Sequence, residues 1–224
     1  MAFLPKLSGP RLPPAGGVKA ERLVILLHGY GADGNDLIGL APHWARILPG
    51  TAFVAPHAPE RCELSPSGFQ WFSLGAGRTP QIRTEGVRKA APVLEAFIDQ
   101  ELARAGLDED RLALVGFSQG TMMALHVALR RPRAVAGVLG FSGMLVGGET
   151  LKAEVKSRPP VFLIHGDADD MIPLTALFES TQGLGAAEVA AEWHISRGIP
   201  HAIGPDGLAL GGDFLRRCFS ARRG

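Results

Sequence analysis

The chain has 224 residues, which suits one well-buried domain and is short for two. Hydrophobic residues make up 46% and charged residues 20%, a balance typical of a globular protein and not of a disordered or fibrous one. The 23 basic and 22 acidic residues nearly cancel to a formal net charge of +1 and form no local basic cluster, which argues against a nucleic-acid-binding protein.

The sequence also indicates where the protein resides. The first ten residues lack the basic start and following apolar run of a signal peptide. The longest aliphatic run, Leu23 to Leu27, is far shorter than the roughly 20 residues of a membrane helix. The two cysteines, Cys62 and Cys218, are too few for a disulfide scaffold and favour a reducing compartment, although a single bridge stays open. We therefore expect a cytoplasmic protein that does not insert into membranes.

The first half of the chain alternates apolar strands with helical patterns. In chain order, its predicted elements are an extended or hairpin lead-in at 1–20, a strand at 23–27, a helix at 35–48, a strand at 51–54, an irregular region at 60–82 and a helix at 84–105. The first strand is continuously apolar, as in a strand buried on both faces. Asn35 or Asp36 is the expected cap of the first helix and Thr84 of the second, in which Pro92 predicts a kink or a break.

The second half repeats this alternation. Its predicted elements are, in chain order, a strand at 112–115, a helix at 119–130, strands at 135–141 and 161–164, a helix at 174–183, a strand at 189–195 and a helix at 207–222. Residues 143–160 leave room for at most one small helix. Strands that alternate with helices predict a mostly parallel sheet with helices on both faces. Because no repeat or linker interrupts residues 1–224, we expect a single α/β domain.

The first candidate functional motif is a G-x-S-x-G run at Gly116–Gly120, between a predicted strand and a predicted helix. Glycines on both sides permit a sharp turn that strains the backbone of Ser118 and presents its hydroxyl above the helix N-terminus. In a glycine-rich chain the pattern alone is also consistent with a plain turn. Its position between strand and helix favours a nucleophilic serine.

A nucleophilic serine needs a base and an orienting acid, which in this arrangement follow it in the order Ser, Asp, His. Three carboxylates that could serve as the acid, Asp167, Asp169 and Asp170, come after one predicted strand. Of the two later histidines, His194 lies within a predicted strand, whereas His201 lies in a loop bounded by glycine and proline. We therefore predict His201 as the base and His194 as an ordinary strand residue.

Acyl transfer also needs an oxyanion hole, formed by two backbone N–H groups. Gln119, the residue after the serine, would supply one, and Tyr30 the other, from the loop 28–34, whose glycines permit close approach. A glycine-rich loop can also bind phosphate, but the sequence has neither the P-loop pattern nor G-x-G-x-x-G spacing here, which disfavours a nucleotide site. The histidines lack metal-ligand spacing, and we expect no metal and no cofactor.

Together these motifs resemble the phospholipase/carboxylesterase family of α/β-hydrolases, which includes bacterial carboxylesterases, lysophospholipases and acyl-protein thioesterases. The similar segments are, in chain order, Leu27–Gly31, Pro56–Pro59, Gln70–Phe72, Gly116–Gly120, His165–Pro173 and His201. The resemblance covers most of the chain and implies the α/β-hydrolase fold, with Ser118 as nucleophile, His201 as base, and Tyr30 and Gln119 as oxyanion donors. Among the three aspartates it selects Asp169, which holds the H-G-x-x-D position.

The resemblance implies hydrolysis of carboxylic esters through an acyl-enzyme, with lysophospholipids and acyl thioesters as further candidate substrates. The connection 143–160 is too short for a cap domain, so we expect an open site for small-molecule esters with short- to medium-chain acyl groups. The residues expected to line it are Trp71, Leu74, Met144, Leu145 and Met171. Two alternatives stay open, namely a catalytically silent binding module on the same scaffold and a serine peptidase.

Overall fold

The computed structural model describes residues 4–75 and 79–221. Its strands are β1 (Arg11–Leu12), β2 (Arg22–Leu27), β3 (Thr51–Val54), β4 (Glu60–Arg61), β5 (Phe69–Gln70), β6 (Leu112–Phe117), β7 (Gly137–Phe141), β8 (Val161–Gly166) and β9 (Ala191–Ser196). Its helices are α1 (Gly34–Ile38), α2 (Ala41–Ala45), α3 (Pro80–Ala105), α4 (Gln119–Arg130), α5 (Gly148–Glu154), α6 (Thr175–Ala186) and α7 (Pro205–Ser220).

Seven of these strands form one sheet in the order β1-β3-β2-β6-β7-β8-β9. Each neighbouring pair is parallel except β1 with β3, which places the lead-in antiparallel at one edge. The short strands β4 and β5 pair separately as a hairpin within the region predicted to be irregular. β7 connects to β8 through α5 alone, as expected for a fold without a cap domain. The predicted mostly parallel α/β architecture is confirmed.

The apolar run of β2 explains why helices cover both faces of the sheet. Successive side chains of a strand point to opposite faces. Leu23, Ile25 and Leu27 accordingly pack into a core with α3, α4 and α6, whereas Val24 and Leu26 pack into a second core with α1, α2 and α7. Every residue of β2 is buried, and for residues 23–27 this is what the continuous apolar pattern predicted.

The longest helix begins earlier than predicted. α3 starts at Pro80, and its cap is Thr79, whose Oγ1 accepts a hydrogen bond from the N–H of Ile82 at 3.2 Å. Thr84, the predicted cap, lies inside the helix and donates to the carbonyl of Pro80. Of the kink or break predicted at Pro92, the break is wrong, since α3 continues through this residue. Pro92 faces solvent, where water can bond the carbonyl that the missing N–H leaves unpaired.

The helix predicted over 35–48 is instead two short helices, α1 and α2. Asp33 caps α1 by accepting from the N–H of Asn35 at 2.6 Å, and the Asp36 side chain accepts from the N–H of Asp33 at 2.9 Å. This reciprocal pair is a capping box, so neither Asn35 nor Asp36 is the cap. Pro42 lies in the first turn of α2, where its missing N–H is tolerated.

The remaining elements agree closely with the sequence predictions. The four strands of the second half each begin and end within two residues of the predicted positions, and α4 has the predicted bounds. The described part of α7 runs from Pro205 to Ser220, and the predicted end at residue 222 lies outside the described residues. Within the described chain, no helix is both long and apolar enough to cross a membrane.

Candidate active site

Ser118 lies at the sharp turn between β6 and α4, with φ 53° and ψ −115°. A non-glycine residue with positive φ is strained, and such strain concentrates at functional sites. The flanking glycines are sterically required, because a Cβ on Gly116 would lie 2.4 Å from the carbonyl carbon of Gly120, and one on Gly120 would lie 1.9 Å from the carbonyl oxygen of Leu27. The turn therefore has the close packing that the sequence motif predicted.

Asp169 and His201 come together from the loops after β8 and β9. The Nδ1 atom of His201 lies 2.8 Å from Oδ2 of Asp169, whose carboxylate is fully buried. The other oxygen, Oδ1, accepts the backbone N–H groups of Met171 and Ile172, both at 2.9 Å. Burial alone would raise the pKa of Asp169, but the hydrogen bonds from Ile172, His201 and Met171 hold it below its ordinary value. An ionised carboxylate thus faces the imidazole.

The other acids and the other late histidine lie elsewhere. Asp167 accepts the N–H of Gly198 at 2.6 Å and joins the two loops, and Asp170 is exposed. His194 lies in β9, where its Nε2 is 2.8 Å from Oδ2 of Asp206. The alternatives left by the sequence are therefore separated by their contacts, and only Asp169 meets His201.

Ser118 and His201 face one cavity of about 430 Å³ at the carboxyl ends of the strands. Its other walls come from the loops after β2, β5, β7 and β8 and from α3, α4 and α6. Leu74, Met144 and Met171 line it, as expected. The ring of Phe117 packs against His201 with centroids 4.9 Å apart.

Sequence reasoning missed several other lining residues, and three of them bring a new thioether or charged group to the cavity. Met122 reaches the cavity because it lies four residues after Ser118, on the same face of α4. That spacing was a usable signal. Arg83 and Glu179 add charge to the cavity from α3 and α6, and no motif in the sequence marks either of them.

Two predicted lining residues do not line this cavity. Trp71 is 1% exposed and lies behind it, where its indole N–H donates to the carbonyl of His28 at 3.0 Å. The backbone N–H of Trp71 also donates to Oε1 of Gln119, whose Nε2 donates in turn to the carbonyl of Phe72. Leu145 lines an adjoining groove instead. The burial of Trp71 has a simple reason, because an indole ring has a single N–H donor and is buried where that donor finds an acceptor.

The predicted oxyanion loop is held by His28, which is fully buried. Its Nε2 accepts the N–H of Ala58 at 2.9 Å, so the ring proton is on Nδ1, which donates to the carbonyl of Gly29 at 2.7 Å. Burial lowers the pKa of His28 and keeps the ring neutral. In a trans peptide the C=O and N–H point in opposite directions, so the N–H of Tyr30 points away from His28.

The loop also approaches the serine closely. Tyr30 and Gln119 both line the cavity beside Ser118. A Cβ on Gly29 would lie 3.3 Å from Cβ of Ser118, so a larger residue would crowd the nucleophile. Tyr30, Gln119 and the nucleophilic serine candidate therefore share one cavity.

A second cavity, of about 450 Å³, lies between the lead-in, β3 and the end of α3. None of its described lining residues is a serine, cysteine or histidine, and volume alone therefore does not identify a reactive site. Over residues 4–75 and 79–221, no group of three or more His, Cys, Asp or Glu side chains is placed to hold a metal ion.

Comparison with known proteins shows similarity over nearly the whole chain. A family model described as phospholipase/carboxylesterase matches residues 14–219. Acyl-protein thioesterase 1 of Gibberella zeae is 29% identical over 210 residues, which cover 87% of this chain and 89% of that protein. Acyl-protein thioesterase 1 of Saccharomyces cerevisiae is 26% identical over 216 residues, covering 90% of this chain and 95% of its own.

Solved structures agree with these matches. The crystal structure of esterase PE8 matches with a TM-score of 0.91 and 46% identity, covering 95% of this chain and 99% of that chain. Arabidopsis thaliana SOBER1 matches with a TM-score of 0.73 and 21% identity, over 88% of this chain and 98% of its own, and shares the fold.

Proposed function

The chain belongs to the phospholipase/carboxylesterase family of α/β-hydrolases, and on that basis we propose that it cleaves carboxylic esters or thioesters by acyl transfer to Ser118. The observation that carries the proposal is the 2.8 Å contact between His201 and the buried Asp169, at the cavity that Ser118 also faces. Ser118, His201 and Asp169 would then act as the nucleophile, base and acid of a catalytic triad.

The proposed first step is attack by the Ser118 hydroxyl on the substrate carbonyl carbon. Because the carboxylate of Asp169 accepts at Nδ1 of His201, that nitrogen carries the proton and Nε2 is left to take the proton of Ser118. The resulting imidazolium is stabilised by the ionised carboxylate. It then protonates the leaving alcohol or thiol, which departs and leaves the acyl group on Ser118. Water repeats the sequence and releases the carboxylic acid.

The negative oxygen of each tetrahedral intermediate would be bound by the backbone N–H groups of Tyr30 and Gln119. The support for Tyr30 is the hydrogen bond between His28 and Gly29, which directs the N–H of Tyr30 away from the histidine. Removal of one oxyanion donor typically costs about 2.7–4 kcal/mol in the transition state. Two amides fixed in advance would therefore supply a large part of the rate enhancement.

We propose short- to medium-chain acyl esters as the preferred substrates. The cavity wall is largely apolar, and each buried CH₂ contributes about 0.8 kcal/mol while wall remains to cover it. No cap extends the wall, since β7 and β8 are joined through α5 alone. Three thioether side chains, Met122, Met144 and Met171, can adapt to acyl groups of different shape.

A series of esters from C2 to C16, assayed below the micelle threshold, tests this preference. We expect kcat/KM to rise over the first carbons and then to flatten or fall. A matched acyl thioester and a lysophospholipid measured beside the series would identify the scissile bond and the leaving group. A steady increase to C16 would contradict the short- to medium-chain preference.

We also propose a cytoplasmic setting. The two cysteines of the chain, Cys62 and Cys218, are too few for a disulfide scaffold, which supports a reducing compartment. The balanced charge of the chain supports a small-molecule substrate over a nucleic-acid partner.

Replacement of the nucleophile tests the proposed function directly. Ser118→Ala should lower the turnover rate of p-nitrophenyl butyrate by about 10⁶-fold while the protein stays folded. Ser67→Ala, the same change at an exposed serine, is the matched control and should leave turnover unchanged. More than about one per cent residual activity in Ser118→Ala would refute the assignment.

Covalent labelling separates an active hydrolase from a silent binding module on the same scaffold. A fluorophosphonate should modify Ser118 alone, because only an activated hydroxyl attacks such a reagent, and His201→Ala should suppress the reaction. Peptide mapping of the adduct to a different serine would move the active site elsewhere. No adduct together with no burst of p-nitrophenol would favour the silent module.

A further inference from the structure

A second buried histidine contacts the carboxylate that faces His201. His165 is the next-to-last residue of β8, and its side chain is 1% exposed. Its Nε2 atom lies 2.9 Å from the carbonyl oxygen of Ile172 and 3.3 Å from Oδ2 of Asp169. Oδ2 is also the oxygen that meets Nδ1 of His201. One carboxylate oxygen therefore lies between two imidazole rings.

The contact with Ile172 identifies the proton position on His165. A carbonyl oxygen can only accept a hydrogen bond, so Nε2 of His165 carries a proton. The same N–H lies within reach of Oδ2 of Asp169. His165 thus donates to the carbonyl of Ile172 and lies close beside Oδ2 of Asp169, whereas Oδ1 of Asp169 is held by the backbone N–H groups of Met171 and Ile172.

We propose that His165 is a positioning residue for the acid–base pair of Asp169 and His201. It fixes the loop 167–172 through the carbonyl of Ile172, and that loop carries Asp169 to the position where its Oδ2 meets Nδ1 of His201. The position of His165 is itself fixed, because it is paired with Ile195 inside the sheet. This inference rests on the proposed function.

The inference makes a specific kinetic prediction. His165 is not among the residues that line the cavity and does not touch the substrate there. Loss of its N–H should release the carbonyl of Ile172, let the loop 167–172 shift and so weaken the contact of Asp169 with His201. Residues that orient a metal ligand from the outer shell contribute about 10–100-fold to activity, and we expect a loss of the same order here. We expect that loss to fall on kcat, with KM changed by less than twofold.

Two substitutions remove the donor and one keeps it. His165→Leu has no donor, and the shorter amide of His165→Asn does not reach the position of Nε2. His165→Gln places an amide N–H at that position and should restore most of kcat. The rate of fluorophosphonate labelling of Ser118 should follow kcat in all three variants, and circular dichroism and the thermal midpoint report whether each variant is folded.

His194→Leu is the matched control. His194 lies on the adjacent strand β9 and makes its own contact with an aspartate, Asp206, away from the cavity. It should keep the kcat of the wild type. In the wild type and in His165→Gln, the Nδ1 proton of His201 should give a low-field ¹H resonance, which the Leu and Asn variants should lose or broaden.

Several results would overturn the positioning role. One is wild-type kcat and labelling in folded His165→Leu or His165→Asn. Another is equal loss of activity and thermal midpoint in all three variants with no rescue by Gln, which indicates a purely structural role. If His165→Leu does not fold, the Asn and Gln pair decides by the same comparison.

Asp169→Asn, measured in parallel, separates failure of this inference from failure of the proposed function. If Asp169→Asn keeps wild-type activity, the proposed triad is wrong. If Asp169→Asn is inactive and the folded Leu and Asn variants of His165 are not impaired, only the positioning role is wrong.

Discussion

Acidification should destabilise the fold through His126, a buried histidine on the helix that begins beside the nucleophile. Its side chain is 5% exposed, and its Nδ1 has no hydrogen-bond partner among the described residues. Burial is the main cause that lowers the pKa of His126 to about 4, and the nearby cations Arg130 and Arg88 add to it, while Glu154 opposes it. The folded protein therefore keeps this imidazole neutral.

The sign and size of the effect follow from proton binding. Between about pH 6.5 and pH 4 the unfolded chain binds a proton at His126 that the folded chain does not, so the free energy of unfolding falls as pH falls through this window. At about 1.4 kcal/mol for each tenfold change in proton affinity, the lowered pKa corresponds to roughly 3 kcal/mol. A protein of ordinary stability would lose a substantial fraction of it.

Urea unfolding at a series of pH values from 8 to 4.5, followed by circular dichroism, measures this effect. His126→Gln replaces the titrating ring with a neutral side chain, so the free energy of unfolding of the variant should depend less on pH. The difference between wild type and variant isolates His126 from the carboxylates that titrate at lower pH. His43→Gln, at an exposed position, is the control and should parallel the wild type. A wild-type minus His126→Gln difference that is constant with pH would refute the reasoning.

Two further predictions concern the packing around the site. Trp71→Phe removes the indole donor that holds the oxyanion loop and should lower kcat three- to tenfold, or about 0.5–1.5 kcal/mol, with KM unchanged. Trp193→Phe, at an exposed tryptophan, is the control and should have no effect. Equal kinetics of the two variants would contradict the prediction. Gly120→Ala should inactivate and destabilise the protein, because its Cβ would lie 1.9 Å from the carbonyl oxygen of Leu27. Gly185→Ala in α6 is the control: its Cβ would meet nothing within 4 Å, and denaturant unfolding should show that it stabilises the protein by about 0.5–1 kcal/mol. An active Gly120→Ala would contradict the prediction.

The buried strands were predictable because their signal is local. Every residue of β2 is buried, and alternate side chains supply the two cores. A short stretch of sequence therefore contains the whole signal for this strand. The cap of α3 was harder, because Thr79 and Thr84 are both plausible caps in sequence. Pro80 decides between them, since proline is favoured in the first turn and Thr79 precedes it directly.

The position of Trp71 was not predictable, because its partners are distant in sequence. The carbonyl of His28 that accepts its indole N–H is 43 residues away, and the amide of Gln119 is 48 residues away. A tryptophan near a site is equally consistent with a lining residue and with a support behind the loop. Only the tertiary contacts distinguish the two, and the same holds for Arg83 and Glu179, which reach the cavity from separate helices.

The H-G-x-x-D spacing, by contrast, has a physical explanation that the sequence alone did not provide. A Cβ on Gly166 would lie 2.0 Å from the carbonyl oxygen of Ile199, so glycine lets the loop that carries His201 pack directly on the end of β8. The N–H of Ala168 then donates to that same carbonyl at 3.1 Å and joins the two loops. The aspartate that follows is placed where His201 arrives, with both carboxylate oxygens already bonded. The spacing is therefore a requirement on how two loops meet, which explains why one of three neighbouring aspartates faces the histidine and the others do not.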